Sequence, residues 1–155
     1  MAVKQPGTVF GNQSDVYKVL IVDDEESIHT TLKDLFNFWG FETISAFNAY
    51  DGLAHAMEYQ PNLITLDLNM REINGYVMLK ILKRVRQTHN IPVIIVSGNL
   101  DKKIMIDTHH AGAAKFVTKP FQHNVLLMRI IECIDNKIVK ELALEQLLDS
   151  KKYKS

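Results

Sequence analysis

The stretch NLITLDLNM, residues 62–70, brings a run of apolar and β-branched residues directly to a carboxylate, Asp67. Three other apolar runs also end in polar groups: YKVLIVD (17–23) in Asp23, IPVIIVSG (91–98) in Ser97 and Gly98, and AAKFVTK (113–119) in Lys119. A further run, FETISAF (41–47), alternates between apolar and polar residues, as an edge strand does. Continuous apolar strands are typical of a parallel sheet that is covered on both faces.

Helical patterns separate these runs. Apolar residues recur at helical spacing within residues 28–39, 53–57, 78–85, about 101–111 and 127–134. Five strand–helix units predict a doubly wound α/β domain with five strands and five helices. We place this domain at 17–136, after a flexible N-terminal lead at 1–16. Residues 137–155 continue the last helical pattern and are predicted to be a helical extension or linker with a disordered end.

The amino-acid composition limits which classes of protein are expected. The chain has 155 residues, 46% of them hydrophobic, which is enough to bury a core. Acidic and basic residues balance at 18 each, so a general nucleic-acid or membrane-surface binder is not expected. The chain has one cysteine, no apolar run long enough to span a bilayer and no signal-peptide pattern at its start, so a cytoplasmic location is expected.

The polar residues at the strand ends predict a phosphoryl-transfer site. Ligands of open parallel sheets bind outside the carboxyl ends of the strands, where five side chains should therefore converge: Asp23, Asp24, Asp67, Ser97 and Lys119. Clustered carboxylates repel one another and raise the pKa of at least one of them unless a cation is present. Hard oxygen ligands favour Mg²⁺ or Mn²⁺, and a lysine and a hydroxyl opposite suit transfer to Asp67 as the nucleophile.

The motifs VLIVDDE, LDLNM, VIIVSG and KFVTKPF, in this order and spacing, resemble the receiver domain of two-component response regulators. The resemblance covers roughly residues 17–136 and implies a flavodoxin-like parallel sheet in the order 2-1-3-4-5. It also implies that Asp67 accepts a phosphoryl group from a histidine kinase or a histidine phosphotransfer protein, with Mg²⁺ required. The resemblance therefore implies a regulatory phospho-acceptor that catalyses only its own phosphorylation and dephosphorylation, and not an enzyme with an external substrate.

The resemblance also implies roles for individual residues. Asp24 is expected to bind the metal directly and Asp23 mainly through water, with Asp67 and the backbone carbonyl of Asn69 as further ligands. Ser97 and Lys119 are expected to hold phosphoryl oxygens, and Phe116 to act with Ser97 as the switch. Asn69 and Asn99 are expected to set the stability of the acyl phosphate, and the bond between Lys119 and Pro120 to be cis.

Two positions depart from the family pattern. Arg71 stands where the family has proline, which predicts a less rigid loop, and Phe116 has no hydroxyl to donate a hydrogen bond. Phosphorylation is nevertheless expected to change the face built from the fourth helix, fifth strand and fifth helix, which then binds a partner or a second copy.

Other polar residues are interpreted as structural. Glu25 and Glu26 suit the first turn of a helix, where the helix dipole favours acidic groups. The isolated histidines, His29 among them, are expected at the surface. The basic residues of the third helix are predicted to form its solvated face: Lys80, Lys83, Arg84 and Arg86.

Several alternatives remain open at this point. The 137–155 tail either docks on its own domain, pairs with a second copy or links to an output domain, and the chain is either a stand-alone regulator or one domain of a longer protein. A phosphatase of the haloacid-dehalogenase type also uses an aspartate nucleophile, Mg²⁺, a hydroxyl and a lysine. That family needs a second acid where this chain has Asn69. A receiver-like interaction domain that no longer uses phosphate is the third possibility.

Overall fold

A computed structural model describes residues 16–152 of the chain. Except for Val16, the predicted N-terminal lead lies outside these residues, as do the last three residues of the predicted tail. The five predicted strands are all present: β1 (Lys18–Val22), β2 (Glu42–Ala46), β3 (Leu63–Leu66), β4 (Val93–Ser97) and β5 (Lys115–Thr118).

Within the described residues six helices accompany the strands, one more than predicted. They are α1 (Glu26–Phe38), α2 (Ala49–Tyr59), α3 (Gly75–Arg84), α4 (Lys102–His110), α5 (His123–Cys133) and α6 (Lys137–Lys152). Polar side chains cap the N-termini of α2, α3 and α4. Asn48, Asn74 and Asp101 each accept a hydrogen bond from a backbone N–H in the first turn of α2, α3 and α4, respectively. Such caps satisfy amide groups that have no partner within the helix.

All strand pairs are parallel, and the sheet order is β2-β1-β3-β4-β5, as the resemblance implied. Every residue of β3 and β4 is buried, which explains why these strands read as continuous apolar runs. In β2, at the edge of the sheet, three of the five residues are only half-buried. The alternating pattern of residues 41–47 therefore reflects an edge position.

Two apolar cores cover the two faces of the sheet. On one face, Val19 and Ile21 of β1 pack with residues of α1, α5 and α6. On the other face, Leu20 and Val22 pack with residues of α2 and α3. Successive residues of a strand point to opposite faces, so β1 contributes to both cores.

The predicted tail contains helix α6, which is not a direct continuation of α5. Helix α5 ends at Cys133, Ile134 has an extended backbone, and Asn136 then accepts a hydrogen bond from the backbone N–H of Val139 at the start of α6. Asparagine favours helix N-termini because its side chain replaces the missing backbone acceptor. The tail is thus a separate helix, and it packs against α5.

None of the helices within residues 16–152 combines the length and the apolar character that crossing a lipid bilayer requires.

Candidate functional site

The carboxyl ends of four neighbouring strands bring the predicted polar residues to one edge of the sheet. Hydrogen bonds extend the ladders one residue beyond the strands: Asp67 N–H donates to Val22 at 3.0 Å, and Lys119 N–H donates to Ser97 at 2.9 Å. The side chains of Asp23, Asp67, Ser97 and Lys119 are therefore presented from regular, buried backbone. Rigid strand ends hold such groups more precisely than a free loop does.

Four acidic residues form a cluster at this edge. Asp23, Asp24, Glu25 and Asp67 each offer a carboxylate oxygen, and these atoms lie within 4.8 Å of one another. Asp23 and Asp67 are buried, whereas Glu25 is exposed. Sequence reasoning placed Glu25 only as a charge at the start of α1. Its position directly after two strand-end acids was the signal that it belongs to the cluster.

Lys119 supplies the cation of the cluster. Its Nζ lies 2.6 Å from Asp23 Oδ2, 3.5 Å from Asp67 Oδ2 and 3.7 Å from Glu25 Oε1. Burial lowers the pKa of Lys119, but the hydrogen bond and charge of Asp23, with the charges of Asp67 and Glu25, raise it above its ordinary value overall. The Lys119–Pro120 peptide bond is cis, as the resemblance implied.

Asp23, the buried acid that is hydrogen-bonded to Lys119, has a raised pKa. Burial raises the pKa of Asp23, and the charge of Asp67 adds to this effect, while the hydrogen bond from Lys119 opposes it. The backbone N–H of Glu25 also donates to Asp23 Oδ1 at 2.9 Å. Asp23 is therefore held on one side by the lysine and on the other by its own loop.

Asn69 connects Asp67 and Ser97 through hydrogen bonds. Its backbone N–H donates to Asp67 Oδ1 at 3.2 Å, and its side-chain Nδ2 donates to Ser97 Oγ at 3.2 Å. The Ser97 side chain is fully buried. Thus Asp67, Asn69 and Ser97, which lie on two different strand ends, already share hydrogen bonds in this structure.

The remaining residues singled out in the sequence differ in their burial. Phe116 is half-buried on β5 and packs against the core that contains α2 and α3. Asn99 is exposed in the loop between β4 and α4. Arg71 is exposed and shares a cleft of about 400 Å³ with Asp24, Glu25 and Phe47.

Three side chains expected at the surface are in fact buried or half-buried: His29, Lys83 and His55, which is half-buried on α2. His29 is only 2% exposed, and its Nε2 lies 2.6 Å from the carbonyl oxygen of Asp23. Lys83 is half-buried, and its Nζ donates to the carbonyl oxygens of Ile91 at 2.7 Å and His89 at 3.2 Å. Burial lowers the pKa of Lys83. Lys83 therefore ties α3 to the start of β4 instead of extending into solvent.

The acidic cluster fits a divalent cation. Its donors are carboxylate oxygens from Asp23, Asp24, Glu25 and Asp67, and these hard ligands suit Mg²⁺ or Mn²⁺. One lysine does not neutralise these four acids, and a dication at this edge would offset most of the remaining negative charge.

The part of the chain that carries this site matches a known family. Residues 19–131 match the family described as response regulator receiver domain. The chain is 32% identical to the chemotaxis protein CheY of Bacillus subtilis (strain 168) over 123 residues, which cover 79% of this chain and 98% of that protein. It is also 32% identical to protein PilG of Pseudomonas aeruginosa over 118 residues, which cover 74% of this chain and 85% of PilG.

Solved structures show the same similarity. A CheY-like response regulator receiver domain protein from Methanospirillum hungatei JF-1 matches with a TM-score of 0.72 at 27% sequence identity. The match covers 84% of this chain and 99% of that structure.

Proposed function

The chain belongs to the response regulator receiver domain family, and from this premise we propose that Asp67 accepts a phosphoryl group in a reaction that depends on Mg²⁺ or Mn²⁺. Receiver domains in general interact with histidine kinases or histidine phosphotransfer proteins, which are the donors that we propose here. The proposal rests on the position of Asp67. It lies buried among three further acids, within 3.5 Å of Lys119 and one hydrogen bond from Asn69.

In the proposed reaction, a carboxylate oxygen of Asp67 attacks the phosphorus atom of the donor phosphohistidine. The new P–O bond forms as the P–N bond breaks, and the donor imidazole keeps the electron pair of the broken bond. Lys119 is within reach of the developing charge because its Nζ already lies between Asp23 and Asp67. Ser97 supplies a hydroxyl for a phosphoryl oxygen once its bond from Asn69 is exchanged.

The metal would be held by Asp24 and Asp67, with Asp23 and the Asn69 carbonyl completing the site that we propose. When bound, it supplies charge neutralisation for the phosphoryl oxygens. Glu25 adds a fourth carboxylate at the exposed side of the cluster. The chain's own contribution is the rigid placing of these oxygens at the ends of β1 and β3.

We further propose that phosphorylation switches the face of α4, β5 and α5. Ser97 ends β4, which pairs with β5 and lies in register with it at Ile95 and Phe116. A movement of Ser97 toward the phosphoryl group changes the space available to the half-buried Phe116 ring. The helices of this face present exposed apolar side chains for a partner or a second copy: Met105, Ile106, Val125 and Met128.

Incubation with acetyl phosphate and Mg²⁺ tests the acceptor. Intact mass spectrometry of the unmutated protein should show the gain of one phosphoryl group, removable with hydroxylamine because an acyl phosphate is labile to this nucleophile. Asp67→Asn should show no gain. Asp34→Asn, which changes an exposed aspartate on α1, should behave as the unmutated protein does. Equal labelling of Asp67→Asn would refute the assignment.

A turnover assay separates this function from that of a phosphatase. We expect each chain to hold at most one phosphoryl group at a time and to show no sustained hydrolysis of an aryl phosphate, because Asn69 cannot act as the general acid or base that rapid turnover needs. Continuous release of phosphate from the aryl phosphate, far beyond one equivalent per chain, would favour the enzyme.

A further inference from the structure

His29 is a buried histidine beside the acidic cluster to which no role has yet been given. It lies in the first turns of α1, six residues after Asp23, and is only 2% exposed. Its Nε2 is 2.6 Å from the carbonyl oxygen of Asp23. A carbonyl oxygen accepts hydrogen bonds only, so Nε2 carries the proton and donates it. The other ring nitrogen, Nδ1, is buried without a hydrogen-bond partner among the described residues.

The Phe47 ring stacks on the face of the His29 imidazole ring. The two ring centroids are 4.0 Å apart, and the planes make an angle of 30°. Phe47 directly follows β2, whereas His29 belongs to α1, so the stack joins two neighbouring elements. Stacked aromatic rings restrict each other's orientation, and the Nε2–H group is thereby kept aimed at the Asp23 carbonyl.

Hydrogen bonds fix the peptide groups on both sides of Asp23. Its N–H donates to the carbonyl of Ala46 at 3.2 Å, and its C=O accepts from His29. Its side chain then bonds Lys119 through Oδ2 and the Glu25 N–H through Oδ1. The direction of the Asp23 carboxylate, and the start of the turn that places Asp24 and Glu25, both depend on this backbone.

We propose that His29 is a positioning residue for the cation site: its Nε2–H holds the Asp23 carbonyl, and Phe47 holds the ring. This role rests on the proposed function, in which the cluster binds a divalent cation. Groups that orient metal ligands through hydrogen bonds commonly change metal affinity by about 10- to 100-fold when they are removed. His29 acts one bond further away, through the backbone, so the lower end of this range applies.

The test compares two substitutions at the same position. His29→Leu removes the donor, and His29→Gln retains an N–H donor at a similar reach. Binding of Mn²⁺, followed by electron paramagnetic resonance, should weaken about tenfold in His29→Leu and return to within about twofold of the unmutated protein in His29→Gln. Because Phe47 acts through the imidazole, Phe47→Ala should weaken binding in the natural background but not in the His29→Leu background.

A matched control is available on α2. His55 is half-buried, packs its ring against Tyr59 with centroids 5.6 Å apart, and also has a buried Nδ1 without a hydrogen-bond partner among the described residues. His55→Leu should leave Mn²⁺ binding unchanged. An equal loss in His55→Leu and His29→Leu would show a general effect of removing a buried imidazole and would overturn the positioning role.

A measurement without metal separates this role from the proposed function. In the presence of a chelator, hydrogen exchange at the amides of Asp23, Asp24 and Glu25 should be faster in His29→Leu than in His29→Gln, with β4 amides unchanged. Unaltered exchange in His29→Leu overturns the role, whatever the metal data show. If the unmutated protein binds no Mn²⁺ but the exchange differs as expected, the cation site of the proposed function fails and the positioning of Asp23 stands.

Discussion

In the acidic cluster, we expect a residue that is needed for cation binding to lower the stability of the fold. Asp23, Asp24, Glu25 and Asp67 lie close together with one lysine between them, and like charges destabilise the folded state. Asp24→Asn removes one charge while keeping the shape of the side chain. In a chelator, it should raise the free energy of unfolding by about 1 kcal/mol, measured by urea titration.

Asp24→Asn should also weaken Mg²⁺ binding. At saturating Mg²⁺, the unmutated protein should therefore have the larger free energy of unfolding. Asp34→Asn, on the exposed surface of α1, provides the comparison and should change neither quantity. A destabilised Asp24→Asn protein in chelator would contradict this view of the cluster.

The pH dependence of stability should carry a signature of Asp23. Its folded-state pKa is raised by burial, so the folded protein keeps this proton at pH values where the unfolded chain has lost it. The stability that this proton contributes is complete below the ordinary carboxyl pKa of about 4 and is lost as the pH rises through the raised value. In chelator, the free energy of unfolding of the unmutated protein relative to Asp23→Asn should therefore fall as the pH rises.

Calorimetry or urea titration at several pH values measures this difference. Mg²⁺ should counteract the fall, because the cation replaces the proton as the neutralising charge. A difference between the two proteins that does not vary with pH would mean that Asp23 keeps an ordinary pKa in the fold.

Two of the residues that were wrongly expected at the surface show what a local pattern can reveal. His29 lies three residues before Leu32 and seven before Phe36, which are both buried, so helical spacing already placed it on the inner stripe of α1. Its polar character hid this signal. For Lys83 no such signal existed, because its carbonyl partners belong to the loop before β4 and are brought near only by the fold.

At the scale of elements, the start of α3 is packed directly against the turn that carries the acceptor. A Cβ atom at Gly75 would clash with the Asp67 carbonyl oxygen and lie 2.8 Å from the Leu68 Cα, both of them backbone atoms. The Gly75 N–H also donates to the Leu68 carbonyl at 3.0 Å. Gly75→Ala should therefore push α3 and the Asp67 turn apart.

We expect Gly75→Ala to cost about 2 kcal/mol of stability and to lower the rate of labelling by acetyl phosphate. Urea titration and mass spectrometry measure the two effects. Gly98→Ala is the matched control, because a Cβ atom at Gly98 would meet nothing within 4 Å. Equal behaviour of the two alanine variants would show that the contact at Gly75 does not hold the acceptor turn.

Helix α6 should stabilise its own domain. Val139, Ala143 and Leu147 are at most 8% exposed and belong to the core formed with α1 and α5, whereas Leu144 is 39% exposed. Leu147→Ala should cost about 2 kcal/mol, near the lower end for a buried leucine, and Leu144→Ala much less. Urea titration of the two variants checks this, and equal costs would contradict the docked position of α6.

The same helix shows where a sequence pattern stops being informative. The apolar residues of α5 and α6 follow one another without an obvious gap, so periodicity alone does not show where one helix ends and the next begins. The break depends on Asn136, whose side chain can cap a new helix or lie exposed within an old one. Packing of α6 on α5 selects the first option, and this packing is not visible in local spacing. The strands were easier to predict, because continuous burial leaves a continuous apolar run.

At the scale of the whole molecule, the site is joined to both cores. Asp67 follows β3, whose Leu63 packs in one core and whose Ile64 and Leu66 pack in the other. The candidate site could be predicted from sequence because parallel strands deliver their terminal residues to one edge. Distances among these residues, such as the 2.6 Å between Lys119 and Asp23, required the fold. A ligand on Asp67 should accordingly stabilise the two faces of the sheet together.

Beryllofluoride with Mg²⁺, a mimic of the aspartyl phosphate, provides a test of this connection. At 100 times its dissociation constant, it should raise the free energy of unfolding by about 2.7 kcal/mol, and by almost nothing in Asp67→Asn. Trp39 is the natural reporter, since it is 8% exposed in the core that contains α6 and lies beyond the end of α1. The shift seen by Trp39 fluorescence should equal the shift seen by circular dichroism, because both cores share the sheet and unfold as one unit. A stabilisation visible by circular dichroism but absent from Trp39 would mean that the core with α1, α5 and α6 unfolds separately from the site.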